Sequence, residues 1–141
     1  MPIAGASTTI AASKTAAEVT AMLAKNGAKQ VMTTYDDNGE ATGIAFIITT
    51  EHGERAFTLP VRPEGVRKAL IRDRVIPSRQ TVEHAQRVAW RIARDWLRAQ
   101  LAIIDAGLVT LDEIMLPYAM IGGTTMYEAV RERGLKGAIE R

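Results

Sequence analysis

The strongest periodic signal in the chain lies in residues 80–107. At about 100° per residue, Ala85, Val88, Ala89, Ile92, Trp96, Ala99 and Ile103 share one side of a helix. Arg87, Arg91, Arg94 and Arg98 fall within about 60° of one another on the other side. The pattern predicts a long amphipathic helix, capped by Ser78, with an apolar face inward and an arginine row outward. Trp96 projects near the centre of the apolar face. Trp90 lies on the shoulder of the row with Leu97 and Leu101, where its indole either stacks on a base beside guanidinium groups or packs against a neighbouring helix.

A period of two takes over in three stretches, 29–36, 41–50 and 54–61, separated by Asn38-Gly39 and His52-Gly53 as compact turns. They predict an antiparallel meander. One face carries Val31, Thr33, Tyr35, Ile44, Phe46, Ile48, Phe57 and Leu59, and the other Met32, Thr34, Ala45, Ile47, Thr49, Ala56 and Thr58. The aromatic side is the expected core; the alternative is a base-stacking platform of Tyr35, Phe46 and Phe57. Shorter helices are predicted at 14–26, with Thr15 and Glu18 at capping-box spacing, and at 63–73, opened by Pro63 with Val66, Ala69 and Leu70 inward. Two more are predicted at 111–115, capped by Thr110 and Glu113, and at 126–133, capped by Thr125 and Glu128 before Gly134.

These elements define an α+β fold: a three-stranded antiparallel meander packed against one long helix and several short helices. Residues 1–12, rich in Ala, Ser and Thr without a period, are expected to form a flexible N-terminal arm, and residues 13–141 a single domain. A length of 141 residues with 47% hydrophobic content suits one such domain. The absence of Cys rules out a disulfide scaffold, a thiolate zinc site and a cysteine nucleophile. No signal-peptide pattern or membrane-length apolar run is present, so a cytoplasmic protein without membrane association is expected.

The net charge of +2 hides a segregation. Residues 62–98 hold ten basic side chains against four acidic ones, a local excess of +6, which leaves −4 for the remainder. Such a segment suits phosphate, although arginine is also common on solvated helices. Motif chemistry is sparse. Gly122-Gly123-Thr124-Thr125 lacks the Lys and spacing of a P-loop and reads as a turn and cap. His52 and His84 form no metal-ligand pattern and read as surface residues; Asp36-Asp37 and Asp112-Glu113 are short of a third ligand. No cofactor, metal or catalytic group is indicated, and a non-enzymatic protein is expected.

The segment AQRVAWRIARDWLRAQLAIIDAGLVTLDEIMLPYAM, joined to AKNGAKQVMTTYDDNGEATGIAFIITTEHGERAFTLPV, resembles a family of small, largely uncharacterised phage and prophage proteins over most of residues 14–130. The resemblance implies a place among viral DNA replication or recombination proteins. A looser likeness is to archaeal single-stranded-DNA-binding proteins in which helices clasp a small antiparallel sheet. Neither carries a catalytic signature to transfer. The sequence therefore predicts sequence-tolerant binding of single-stranded DNA, with RNA left open. The expected contact residues are Arg72, Arg74, Arg79, Arg87, Trp90, Arg91, Arg94 and Arg98. The alternative is an interaction or assembly module whose arginine helix joins a homodimer or an acidic partner.

Overall fold

The computed structural model describes residues 2–139. The elements follow in the order α1 (Ala12–Lys25), β1 (Ala28–Tyr35), β2 (Ala41–Thr50), β3 (Gly53–Thr58), α2 (Pro63–Arg72), α3 (Val82–Asp105), α4 (Leu111–Met115), β4 (Met120–Ile121), β5 (Thr124–Thr125) and α5 (Met126–Ile139). The α+β class and the antiparallel β1-β2-β3 meander agree with the sequence pattern. No helix among the described residues is long and apolar enough to cross a membrane.

Cross-strand pairs align Val31 with Phe46 and Phe46 with Phe57, so the expected apolar face forms one continuous surface. Ile44, Phe46, Ile48, Phe57 and Leu59 are buried there, and the Phe46 and Phe57 rings pack at 5.5 Å. That packing leaves neither ring open to a base, so the stacking-platform alternative does not hold. Tyr35 departs from the expected core side and is exposed, because a register shift between Thr34 and Tyr35 turns the strand end outward. The first connection is longer than a two-residue turn. Asp36 organises it by accepting from the backbone N–H groups of Asn38 and Glu40 at 2.9 and 3.0 Å. In the second hairpin Thr50 pairs with Gly53, so the two loop residues are Glu51 and His52 rather than His52 and Gly53.

Two helices cover the apolar face of the sheet. Val19 and Leu23 of α1 join Trp90 and Leu97 of α3 over Ile44, Phe46 and Phe57. The expected Thr15 cap is absent: α1 begins at Ala12, and Thr15 lies buried inside it. The long helix starts at Val82, capped by the Thr81 hydroxyl, which accepts from the His84 backbone N–H at 3.1 Å; Ser78 sits instead in a 3-10 turn, Pro77–Arg79. The predicted capping boxes of α4 and α5 are both formed. Hydrogen bonds from the Thr125 hydroxyl and backbone hold the Glu128 carboxyl below its ordinary range. Gly122 and Gly123 make the tight turn of the small β4-β5 hairpin, and a break at Gly134, with φ 75°, ends the first part of α5 where the sequence predicts.

The far side of α3 carries a second, smaller core of Ala6, Leu70, Ala85 and Val88, flanked by Ile3, Val66, Val75 and Ile92. Thus α2 packs on α3 away from the sheet, and the N-terminal segment packs beside both. Residues 3–9, expected to belong to a flexible arm, form a strap in contact with these helices. The Ile3 N–H donates to Asp73 Oδ2 at 2.9 Å, and the Ala6 carbonyl accepts from His84 Nε2 at 2.6 Å. Because a carbonyl only accepts, that nitrogen carries the imidazole proton. His84, expected at the surface, is buried by this contact.

Asp73 links α2 to the strap. The hydrogen bond from Arg72 and that from the Ile3 N–H hold its carboxyl below the usual carboxylate range, against an opposing effect of partial burial. A carboxyl whose folded value lies below its unfolded one contributes stability above the unfolded value of about 4, lost as pH falls through the lower folded value. Denaturation midpoints measured across that acid window should therefore fall more steeply for the wild type than for Asp73→Asn. Parallel profiles would show that the Asp73 contacts do not stabilise the fold.

Candidate nucleic-acid interface

The arginine row does not face solvent as a unit. α3 is enclosed on several sides, by the sheet, α1, α2 and the strap, so its buried arc is far wider than the single apolar face read from the sequence. Trp90 is 0% exposed, and its Nε1–H donates to the Ala41 carbonyl at 2.8 Å. Its ring cannot stack on a base without unfolding that contact. Trp96, expected at the centre of the core, is half-buried and meets Tyr118 edge to face at 5.7 Å. Trp90 is thus the more deeply buried of the two indoles, and Trp96 packs at the margin of the core.

The row divides accordingly. Arg94 sits between α3 and α1 with its side chain 8% exposed; its guanidinium donates to Glu18 Oε2 at 2.7 Å and to Asp95 Oδ1 at 2.8 Å. It is a clamp between two helices, with its donors turned to carboxylates rather than to an external phosphate. Arg91 pairs with Asp95 at 3.4 Å, and the strap crosses its stem: a Cβ on Gly5 would stand 3.4 Å from Arg91 Cγ. Only Gly5, at φ +79°, combines that backbone conformation with so close an approach. Arg98 is exposed on the later part of α3.

At the head of the helix the arrangement differs. Arg87 and Arg79 line one cleft of about 250 Å³ together with His84, Ser7, Thr8 and Thr9. Arg87 donates to Glu83 Oε1 at 3.2 Å, four residues back and well exposed. Its Nε, however, is shut from solvent and finds no acceptor; it is the one buried side-chain nitrogen or oxygen without a partner among the described residues. Across α2 a second cleft, about 390 Å³, is lined by the apolar Val61, Ile71, Val82 and Ala85 together with the charged Glu64, Arg67 and Lys68.

The end of α2 adds an unusual cation. Helices α2 and α3 close alike: the N–H of Val75 reaches the Leu70 carbonyl, and the N–H of Leu108 reaches the Ile103 carbonyl. The left-handed residue of this motif is Gly107 in α3, at φ 76°, but Arg74 in α2, at φ 55°. A side chain in that conformation costs about 1 kcal/mol relative to glycine. Arg74 nonetheless projects an exposed guanidinium there, beside Arg72, which is paired with Asp73 at 3.0 Å.

The eight predicted contact residues therefore fall into three groups. Arg72, Arg74, Arg79 and Arg87 lie around α2 and the head of α3, Arg91 and Arg98 lie farther along α3, and Trp90 and Arg94 are interior. Arg67, Lys68, His84 and the hydroxyls of residues 7–9 were not among the predicted contacts. Arg67 and Lys68 were visible only as part of the charge excess, and the placement of residues 7–9 depends on tertiary contacts that no local pattern encodes. The acidic pairs have structural partners: Asp112 meets Arg55 at 3.2 Å and Glu113 closes the α4 cap. Among the described residues no three metal-ligating side chains converge.

Arg94→Ala should lower stability by about 2 kcal/mol, through loss of charge-assisted hydrogen bonds to carboxylates that water can still reach. Arg94→Lys should recover part of it in the same denaturation experiment. An Arg94→Ala protein as stable as wild type would contradict the clamp.

Comparison with protein-family models, curated proteins and solved structures finds no match for this chain.

Proposed function

We propose that the protein is a non-catalytic, sequence-tolerant single-stranded nucleic-acid binder whose contact surface is the outer side of α2 and the head of α3, not the arginine row as a whole. The carrying observation is the set of unneutralised cations there. Arg62, Arg67, Lys68, Arg74 and Arg79 have no ion-pair partner among the described residues, while Arg91 and Arg94 are paired. One acid, Glu64, shares that side of α2 and tempers the field without cancelling it. A single strand suits this surface better than a duplex, because the apolar cleft between α2 and α3 can receive an unstacked base while Arg67 and Lys68 hold its phosphates. The resemblance to small, largely uncharacterised phage and prophage proteins, which implies a place in DNA replication or recombination, points the same way.

Arg74 supports the reading independently. Glycine at this position would relieve backbone strain, so the guanidinium is placed there at a local cost, which suits a contact residue.

A second reading rests on exposed apolar side chains at the α2-α3 junction: Ile71, Ile76 and Val82 are 48%, 56% and 54% exposed. They suit an assembly surface in a homodimer. Under that reading Ile76→Ser with Val82→Ser shifts the sedimentation coefficient of the free protein; under the nucleic-acid reading it does not.

The direct test titrates labelled single-stranded DNA, matched RNA and duplex at two salt concentrations. Single strands should bind more tightly at low salt, and each contact cation removed should reduce the log-log salt slope by about 0.7. Arg74→Gly separates function from folding: it should raise stability by about 1 kcal/mol while weakening binding. No low-salt affinity, or unchanged binding in Arg74→Gly combined with Lys68→Ala, would overturn the proposal.

A further inference from the structure

The cleft under the N-terminal strap has a chemistry distinct from the open surface of α2. Its walls combine the cationic side chains of Arg79 and Arg87, the imidazole of His84, and the hydroxyl-bearing residues Ser7, Thr8 and Thr9, within about 250 Å³. No carboxylate lines it. Glu83 accepts from Arg87 Nη1 at 3.2 Å, and His84 donates from Nε2 to the Ala6 carbonyl at 2.6 Å. That hydrogen bond also fixes the strap over the head of α3, so residues 7–9 are held against the cleft rather than left to find it.

Arg87 Nε is the decisive atom. A guanidinium donor shielded from water normally has an acceptor, because leaving it without one forfeits its hydration with nothing in return. Here it has none, and its side chain lines the cleft beside Arg79, which has no ion-pair partner among the described residues. A tetrahedral oxyanion that shifts the Arg87 side chain enough to open Nε would give that donor an acceptor and meet Arg79 as well. One oxygen would accept from the Arg87 guanidinium, a second from Arg79, and the remaining oxygens from the hydroxyls of residues 7–9. A planar carboxylate offers about four acceptor sites in one plane, whereas a tetrahedral oxyanion directs its oxygens toward donors on several walls of the cleft.

We infer that this cleft is a binding site for a phosphoryl group, built from Arg79, Arg87 and the strap hydroxyls. The choice of a nucleic-acid phosphate as its source rests on the function proposed above; the anion chemistry of the cleft does not. The phosphoryl group is either a terminal phosphate of the strand or one in its backbone.

The test follows the Arg87 Nε–H resonance of the full chain by NMR during titration with inorganic phosphate, against chloride at matched ionic strength. Phosphate should move that resonance saturably and chloride should not. Arg79→Ala, a substitution on an exposed turn, should weaken the apparent affinity by about tenfold or more, and Arg87→Lys should do likewise. A phosphate response no larger than that of chloride, or an Arg79→Ala protein that binds phosphate like wild type, overturns the site.

Two oligonucleotides of one sequence, with a 5′-phosphate and a 5′-hydroxyl, then identify the source. Tighter binding of the phosphorylated strand, lost in Arg79→Ala, assigns the cleft to a terminal phosphate. Equal binding of both, each displaced by inorganic phosphate, assigns it to the backbone. Saturable phosphate binding with no affinity for either strand supports the site and refutes the nucleic-acid reading. Strand binding that is indifferent to Arg79→Ala and unaccompanied by an Arg87 response refutes the site and leaves that reading standing.

Discussion

The indole of Trp90 sets the rotation of the long helix, and most of the molecule's surface chemistry follows from that rotation. Its Nε1–H meets the carbonyl of Ala41, the first residue of the central strand β2, at the end of the ladder where Ala41 pairs with Tyr35. The ring itself is wholly buried among residues of the sheet, α1 and α3. A buried aromatic of this size is worth about 3–5 kcal/mol against truncation, and its single polar atom accepts only one orientation. Once Trp90 points at β2, Arg94, one turn later, must face α1, and Leu97 must enter the core beside it. Arg87, three residues earlier, is left beside the strap.

The charge pattern is therefore less uniform than its spacing. Four arginines at helical intervals do four different things: Arg94 ties α3 to Glu18, Arg91 runs beneath Gly5, Arg87 lines a cleft, and Arg98 meets solvent. The electropositive character that remains available is concentrated on α2 and its junction with α3, where cations outnumber carboxylates and Arg74 occupies a position that favours glycine. Neutralised and unneutralised guanidinium groups lie within one basic segment, and an external anion is attracted most readily by the latter.

The fold was largely legible in the sequence because its signals are local. Alternation placed Ile44, Phe46, Ile48 and Phe57 on one face, Thr110-Glu113 and Thr125-Glu128 marked two helix starts, and Gly134 marked a stop. What escaped depends on how many neighbours an element has. A single-sided reading of α3 put Trp96 inside and left Trp90 open between stacking and packing; enclosure on several sides buries Trp90 fully and leaves Trp96 at the margin of the core. The same limit applies to the site. Charge density pointed to the segment 62–98, but the pairing of Arg94 with Glu18 spans 76 positions, and the contact of Ala6 with His84 spans 78. The composition of residues 1–12 shows the hydroxyls but carries no trace of the strap that places them.

Hydrogen exchange of the two indole N–H groups tests the rotation of α3 most directly. Trp90 Nε1–H should exchange as slowly as the most protected amides of β2, because its release requires opening the core, whereas Trp96 Nε1–H should exchange far faster. Comparable rates for both indoles, or slower exchange at Trp96, would contradict the placement of Trp90 and with it the division of the arginine row.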